Sequence, residues 1–311
     1  MRYIQTYKIF EKFGINDDVD KMTNNIIQYI NDVIDYLHTD SDIEIIYDSN
    51  SNDTTNSNDT TIYINNDILF GENGIKYKKL DFVGEFNNLS NNLEFKIKIG
   101  NDKRKKGYIN FFKKYDKYFF TFFINKIYVN DFEIISHELK HVYDDYMFTK
   151  NKKIDQNLNI NIYSKATTVL SRNILDDIYK IDLNNLDKSM RANAALILYY
   201  CYFLSNSEIS ARTQEFYSKI KDNEDINKDD IYRISRMCDI KLNDWKKVIN
   251  YNRIELKKEL QKLISDSDDE ELMYFFGSDD ILEKIEKYLN IQTKKYQYKI
   301  DRIYTYMKQK N

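Results

Sequence analysis

From Val19 to Leu37 the apolar residues fall at 19, 22, 26, 30, 33 and 37, the three-and-four spacing that keeps one face of an α-helix dry. The run IEIIY at 43–47 predicts a short buried strand. Between about 62 and 129 the period drops to two. Leu93, Phe95, Ile97 and Ile99 alternate with Glu94, Lys96 and Lys98, as a half-buried antiparallel strand requires. The aromatic and β-branched run YFFTFFINKIYV at 118–129 predicts one more strand. After Asn130 the helical period returns, and helices are predicted over 131–148, 187–220, 242–264 and 279–308. The last carries apolar residues at 281, 285, 288, 296, 300, 303 and 307, with Ser278, Asp279 and Asp280 as an acidic start.

This order implies an α+β fold, in which an N-terminal helix and an antiparallel-rich sheet within 40–129 precede a helical C-terminal half. Residues 1–220 are expected to form one domain and 221–311 a helical C-terminal region. The near-duplicated polar stretch SNDTTNSNDTT from Ser51 to Thr61 has nothing to bury and predicts a solvated loop.

Composition narrows the classes. Of 311 residues 42% are apolar and 15% aromatic, enough for a packed core and against general disorder. Proline is absent, and Asn, Lys, Ile and Tyr are abundant, a bias that AT-rich codons produce; it suggests a phage or a low-GC bacterium. A net charge of −3 with signs interspersed makes nucleic acid an unfavoured partner. The basic run Lys103 to Lys106 is expected in a solvated hairpin loop. Cys201 and Cys238 have neither metal-ligand spacing nor disulfide density, which suits a reducing compartment. The apolar run AALILYYCYFL at 194–204 is too short to span a bilayer, so a cytoplasmic protein with no membrane partner is expected.

Two of the three histidines lie in FEIISHELKHVYDDYMF, four residues apart, with Glu138 directly after the first. Asn130 and Glu133 have capping-box spacing and predict a helix start just before Phe132. Phe132, Ile135, Leu139, Val142 and Tyr146 then line one face, while His137 and His141 point to nearly the opposite one. Two imidazoles stacked one turn apart can share one small cation. Glu138, a further 100° round from His137, can reach a water on that cation and take its proton.

The segment HELKH, on a helix that follows an aromatic strand, resembles the active-site helix of the zincin metallopeptidases. The resemblance implies a zinc-dependent peptidase in which His137 and His141 bind Zn2+ and Glu138 is the general base. Lys140 occupies an inner motif position that zincins usually fill with an uncharged residue.

A catalytic zinc needs a third protein ligand and an open position. No histidine or cysteine closely follows His141, which leaves carboxylates. Glu208 is favoured: if one helix continues from 194, then Ile197, Cys201, Leu204, Glu208 and Ala211 form one row, apolar except for the glutamate. A carboxylate on such a face needs a compensating charge. A glutamate on a second helix resembles the gluzincin branch, although Arg212 stands where some members carry an aspartate. Glu215, two turns along the row, is the reserve ligand. Two plainer readings compete: Ser205 with Glu208 as a capping box, and Glu208 with Arg212 as an i,i+4 ion pair. Asp144 and Asp145 are expected to support the site from outside or to be solvated. His38, just past Leu37, reads as a helix-dipole partner.

Together these features predict an endopeptidase acting on a protein or peptide substrate laid along a strand edge. The competing class is a catalytically silent zincin-like scaffold, such as a phage virion component, that docks a protein partner through its C-terminal helices.

Overall fold

The computed structural model describes residues 16–37, 43–48, 61–64, 67–69, 80, 82–90, 93–101, 106–114, 117–150, 162–163, 166–167, 186, 189–220, 242–265 and 267–310. His38, Cys238, Lys103 to Lys105 and all but the last residue of the Ser51–Thr61 stretch lie outside them. Among the described residues the fold is α+β, with nine α-helices and one mixed sheet. The chain divides into two compact units, Met1–Lys153 with Gln214–Asp222, and Ile154–Thr213 with Asn223–Asn311.

The first unit opens with helix α1 (Asp17–Leu37). Val19, Met22, Ile26, Ile30 and Val33 are all buried, each such side chain contributing about 1.5–3 kcal/mol relative to exposure. The strands β1 (Ile43–Asp48), β2 (Thr61–Ile64), β3 (Asp67–Leu69), β4 (Leu93–Gly100), β5 (Gly107–Lys114) and β6 (Lys117–Asn125) form a six-stranded sheet in the order β3-β2-β1-β4-β6-β5. The short helix α2 (Phe86–Ser90) precedes β4. It is seated on α1 through Gly84, whose φ of +52° suits glycine and whose hydrogen would, as a Cβ, lie 2.0 Å from the Asp18 carboxylate. That carboxylate accepts from the Glu85 N–H at 3.2 Å.

The alternation along β4 does what a two-residue period demands: Phe95, Ile97 and Ile99 are buried. The antiparallel expectation holds only on one side. β4 is antiparallel to β1 but parallel to β6. β5 and β4, consecutive in the chain, are not neighbours, because β6 lies between them. β4 and β5 therefore do not pair as a hairpin. The hairpin is β5–β6, stitched by stacked rings such as Phe112 on Phe119 at 4.9 Å. The last strand also stops earlier than its composition suggests: Asn125 caps a 3-10 turn over Lys126–Tyr128, its side chain accepting from the Ile127 N–H.

Helix α3 (Phe132–Lys150) follows. Its cap is Asp131, whose Oδ1 accepts from the Ile134 N–H at 3.1 Å; Asn130, the expected cap, instead accepts from the Asn31 side chain at 2.8 Å. Ile135, Leu139, Val142 and Tyr146 are buried with the α1 face and the inner side of the sheet in one core.

The predicted helix over 187–220 is two helices, α4 (Met190–Phe203) in the second unit and α5 (Asn206–Ile220), which starts in the second unit and ends in the first. The break falls at Leu204–Ser205, where the Ser205 hydroxyl accepts from the Glu208 N–H at 3.3 Å and starts a new helix. The predicted 242–264 helix is likewise interrupted at Asn252 into α6 (Trp245–Tyr251) and α7 (Arg253–Ser265). Helix α8 (Glu270–Phe276), capped by Asp269, is at 7 residues too short for periodicity to reveal it. The long α9 (Ile281–Lys310) buries Ile281, Ile285, Leu289, Tyr296, Ile300 and Ile303. Arg253 fixes α7 against it with hydrogen bonds to Glu283 (2.9 Å) and Glu286 (3.1 Å).

Candidate metal centre

His137 and His141 stand one turn apart on α3, half-buried, their rings edge to face with centroids 5.0 Å apart. This follows from the i,i+4 geometry of one helix and needs no tertiary help. Glu208 reaches them from α5. The residue is 4% exposed. One ligand atom from each of His137, His141 and Glu208 lies within 4.8 Å of the others. Among the described residues this is the group of histidine, cysteine and acidic side chains that could hold a metal ion.

The reason Glu208 arrives there is the continuity of α5. The C-terminal half of that helix packs in the first unit and is tied to the start of α1 by buried polar bonds. The Gln214 side chain accepts from the Asn16 N–H at 2.8 Å and donates to Asp20 Oδ1 at 2.9 Å, while the Ser218 hydroxyl donates to the same oxygen at 2.7 Å. Glu208 lies almost two turns upstream of Glu215 on the same side of this helix. The carboxylate of Glu215 meets His137 Nδ1 at 3.1 Å.

These contacts separate the two candidates for third ligand. Glu215, held in reserve by sequence reasoning, meets His137 Nδ1 and lies outside the converging group. If Nδ1–H is donated to Glu215, the lone pair of His137 is on Nε2, an arrangement in which a carboxylate can fix the tautomer of an imidazole. Glu208 is in the converging group. Both plain readings of Glu208 are present too: Ser205 caps it, and Arg212 lies 3.7 Å from its Oε2.

The donor set suits a borderline cation. Two neutral imidazole nitrogens and one carboxylate oxygen are ligands that zinc accepts at about 2.0–2.2 Å. Donors around such an ion stand roughly 3.4 Å apart, closer than the 4.8 Å within which these three atoms lie. Glu138 is half-buried beside His137, outside the converging group. Lys140, the departure from the zincin pattern, is 2% exposed. Its ammonium is paired with Asp144 and lies 5.1 Å from the centre of the Tyr143 ring. It is a structural cation, and Asp144 serves it and not the imidazoles. The Asp145 carboxyl is pushed above its ordinary range by desolvation and drawn back by His141. Burial pushes the Cys201 thiol well above its usual value, so it stays protonated and offers neither thiolate ligand nor nucleophile.

Compared with known protein families, with curated proteins and with solved structures, the chain matches none. No helix among the described residues is long and apolar enough to cross a membrane.

Proposed function

We propose that this protein is a zinc-dependent endopeptidase of zincin type, with His137, His141 and Glu208 as metal ligands and Glu138 as general base. The observation that carries the reading is the convergence of Glu208, from a helix some 70 residues downstream in the chain, on the two imidazoles of HELKH. Chance pairs of histidines on a helix face do not come with a buried carboxylate opposite and a second one, Glu215, behind His137.

The ion, when bound, supplies Lewis acidity toward a water and a peptide carbonyl. The neutral imidazoles of His137 and His141 would add no charge to a divalent ion, and Glu208 would add one negative charge. Glu215 holds His137 in one tautomer. Glu138, which belongs to the same turn as His137, takes the proton of the attacking water and passes it to the leaving amine. Strand β5 ends the sheet among the described residues, and its first residue lies against Ile134 in the opening turn of α3, where a Cβ on Gly107 would stand 3.1 Å from that side chain. An extended peptide pairing with this edge would run past the histidine helix, which supports a protein or peptide substrate.

The test is zinc analysis together with cleavage of an unfolded protein by the wild type and E138Q. E138Q should keep one zinc per chain and lose hydrolysis by at least about a hundredfold. Equal cleavage by both removes Glu138 from the reaction. Zinc in both with cleavage in neither points to the silent scaffold.

A further inference from the structure

The Glu208 side chain is buried in the first turn of α5, beside Ile209 and Ala211, both fully buried. A charge removed from water in this way needs an opposite charge near it at every stage of the protein's life, including before metal has been acquired. Arg212, one turn on, is the cation the chain itself provides. Its Nη2 is 3.7 Å from Glu208 Oε2, and its side chain is only 21% exposed. The guanidinium lies over the Phe203 ring with 4.0 Å between the guanidinium carbon and the ring centre. An exposed i,i+4 pair would be free to swing and would contribute little. This one is flattened against an aromatic face at one end and a buried carboxylate at the other, a geometry that suits arginine and not lysine.

We infer that Arg212 is the counter-ion that keeps Glu208 in its buried place while no metal is bound, so that the site loads and releases its cation without the fold depending on it. This rests on the reading of His137, His141 and Glu208 as metal ligands, and concerns how that site is maintained. Arg212 is a positioning residue acting through Glu208; it does not touch the reacting atoms. Its two effects have opposite signs. In the metal-free protein the guanidinium compensates the carboxylate and stabilises the fold. Once a divalent cation is in place, the same positive charge repels it and competes for the same carboxylate. The chain gives up some metal affinity in exchange for an empty site that stays built.

The two signs make the inference testable in the full chain. Thermal melting of metal-free protein and zinc affinity by chelator competition are measured for the wild type, R212M, R212K, E208Q and the E208Q/R212M double variant. R212M keeps an unbranched apolar stem on Phe203 and removes only the charge. It should lower the melting temperature of the metal-free protein, but not when E208Q has already removed the charge it serves. Zinc-saturated R212M should melt close to wild type and bind zinc tighter, on the order of tenfold. R212K keeps the charge but not the stacked plane, and should retain only part of the metal-free stability. If R212M lowers the metal-free melting temperature equally in the wild-type and E208Q backgrounds, Arg212 only packs on Phe203 and the inference falls. If R212M binds zinc more weakly than wild type, Arg212 aligns the ligand for the bound ion and the inference falls as well. Absence of zinc affinity in the wild type overturns the peptidase reading, and the inference with it; zinc affinity with additive E208Q and R212M effects overturns the inference alone.

Discussion

Helices α3 and α5 meet at the same three donor atoms, yet their contributions have different origins. On α3 the donors are neighbours by helical geometry alone, four residues and one turn apart, and they would face each other in any context that keeps the segment helical. On α5 the donor is useful only because Gln214 and Ser218 tie the far half of the helix to Asp20 and Asn16. One side of the site is written in local spacing, the other in a buried polar network distant in sequence. The lesson is that a short motif marks where chemistry is possible, while the tertiary bracing decides whether it is completed.

This contrast can be broken from either side. The largest effect is expected from α3: H141A should weaken zinc binding at least a hundredfold, since each ligand of such a site carries on the order of a few kcal/mol. Competition with a chromogenic chelator measures it, and an unchanged affinity would mean the imidazole is no ligand. E215Q keeps an acceptor for His137 but removes its charge, and should cost about tenfold in zinc affinity, the lower end for groups that orient a ligand. D20A strips the acceptor shared by Gln214 and Ser218 and should cost about 1–3 kcal/mol in denaturant unfolding; if α5 is braced as described, zinc affinity falls in the same variant while helix content hardly changes. The smallest effect belongs to Asp145. Its folded carboxyl is raised by desolvation, so the folded state favours its protonated form, and that stabilisation is lost as pH rises through the raised value. D145N should therefore melt slightly higher than the metal-free wild type at pH 7, within about 2 °C, with the difference closing at pH 3.

Much of α1, β4 and the buried face of α3 was legible, because an uninterrupted apolar period of 3.6 or 2 has one low-energy way to be buried. The two imidazoles were legible for the same reason. Glu208 was reached by a partly mistaken path: the row from Ile197 to Ala211 assumed a continuous helix, and the chain in fact restarts at Ser205, whose hydroxyl competes for the backbone. Glu208 is buried regardless, because α5 keeps its own apolar face. The role of Glu215 could not be read, since its spacing from Glu208 suits a ligand and a supporter of a ligand equally. Strand order was hidden too: nothing in GYINFFKK or its flanks says that β6 will insert between β4 and β5, because either neighbour offers the same aromatic pairing.

The division of α5 has a consequence for biogenesis. The first unit comprises Met1–Lys153 and Gln214–Asp222, so the ribosome must make all of the intervening segment before the peptide that braces α1 becomes available. At about 5–20 residues per second, Asp20 waits roughly 10–40 seconds for Gln214 and Ser218, and during that interval the nascent chain holds its paired imidazoles without the Glu208 carboxylate. A protein built in this order brings the three side chains together only late in translation, and premature termination would leave the histidines without that helix.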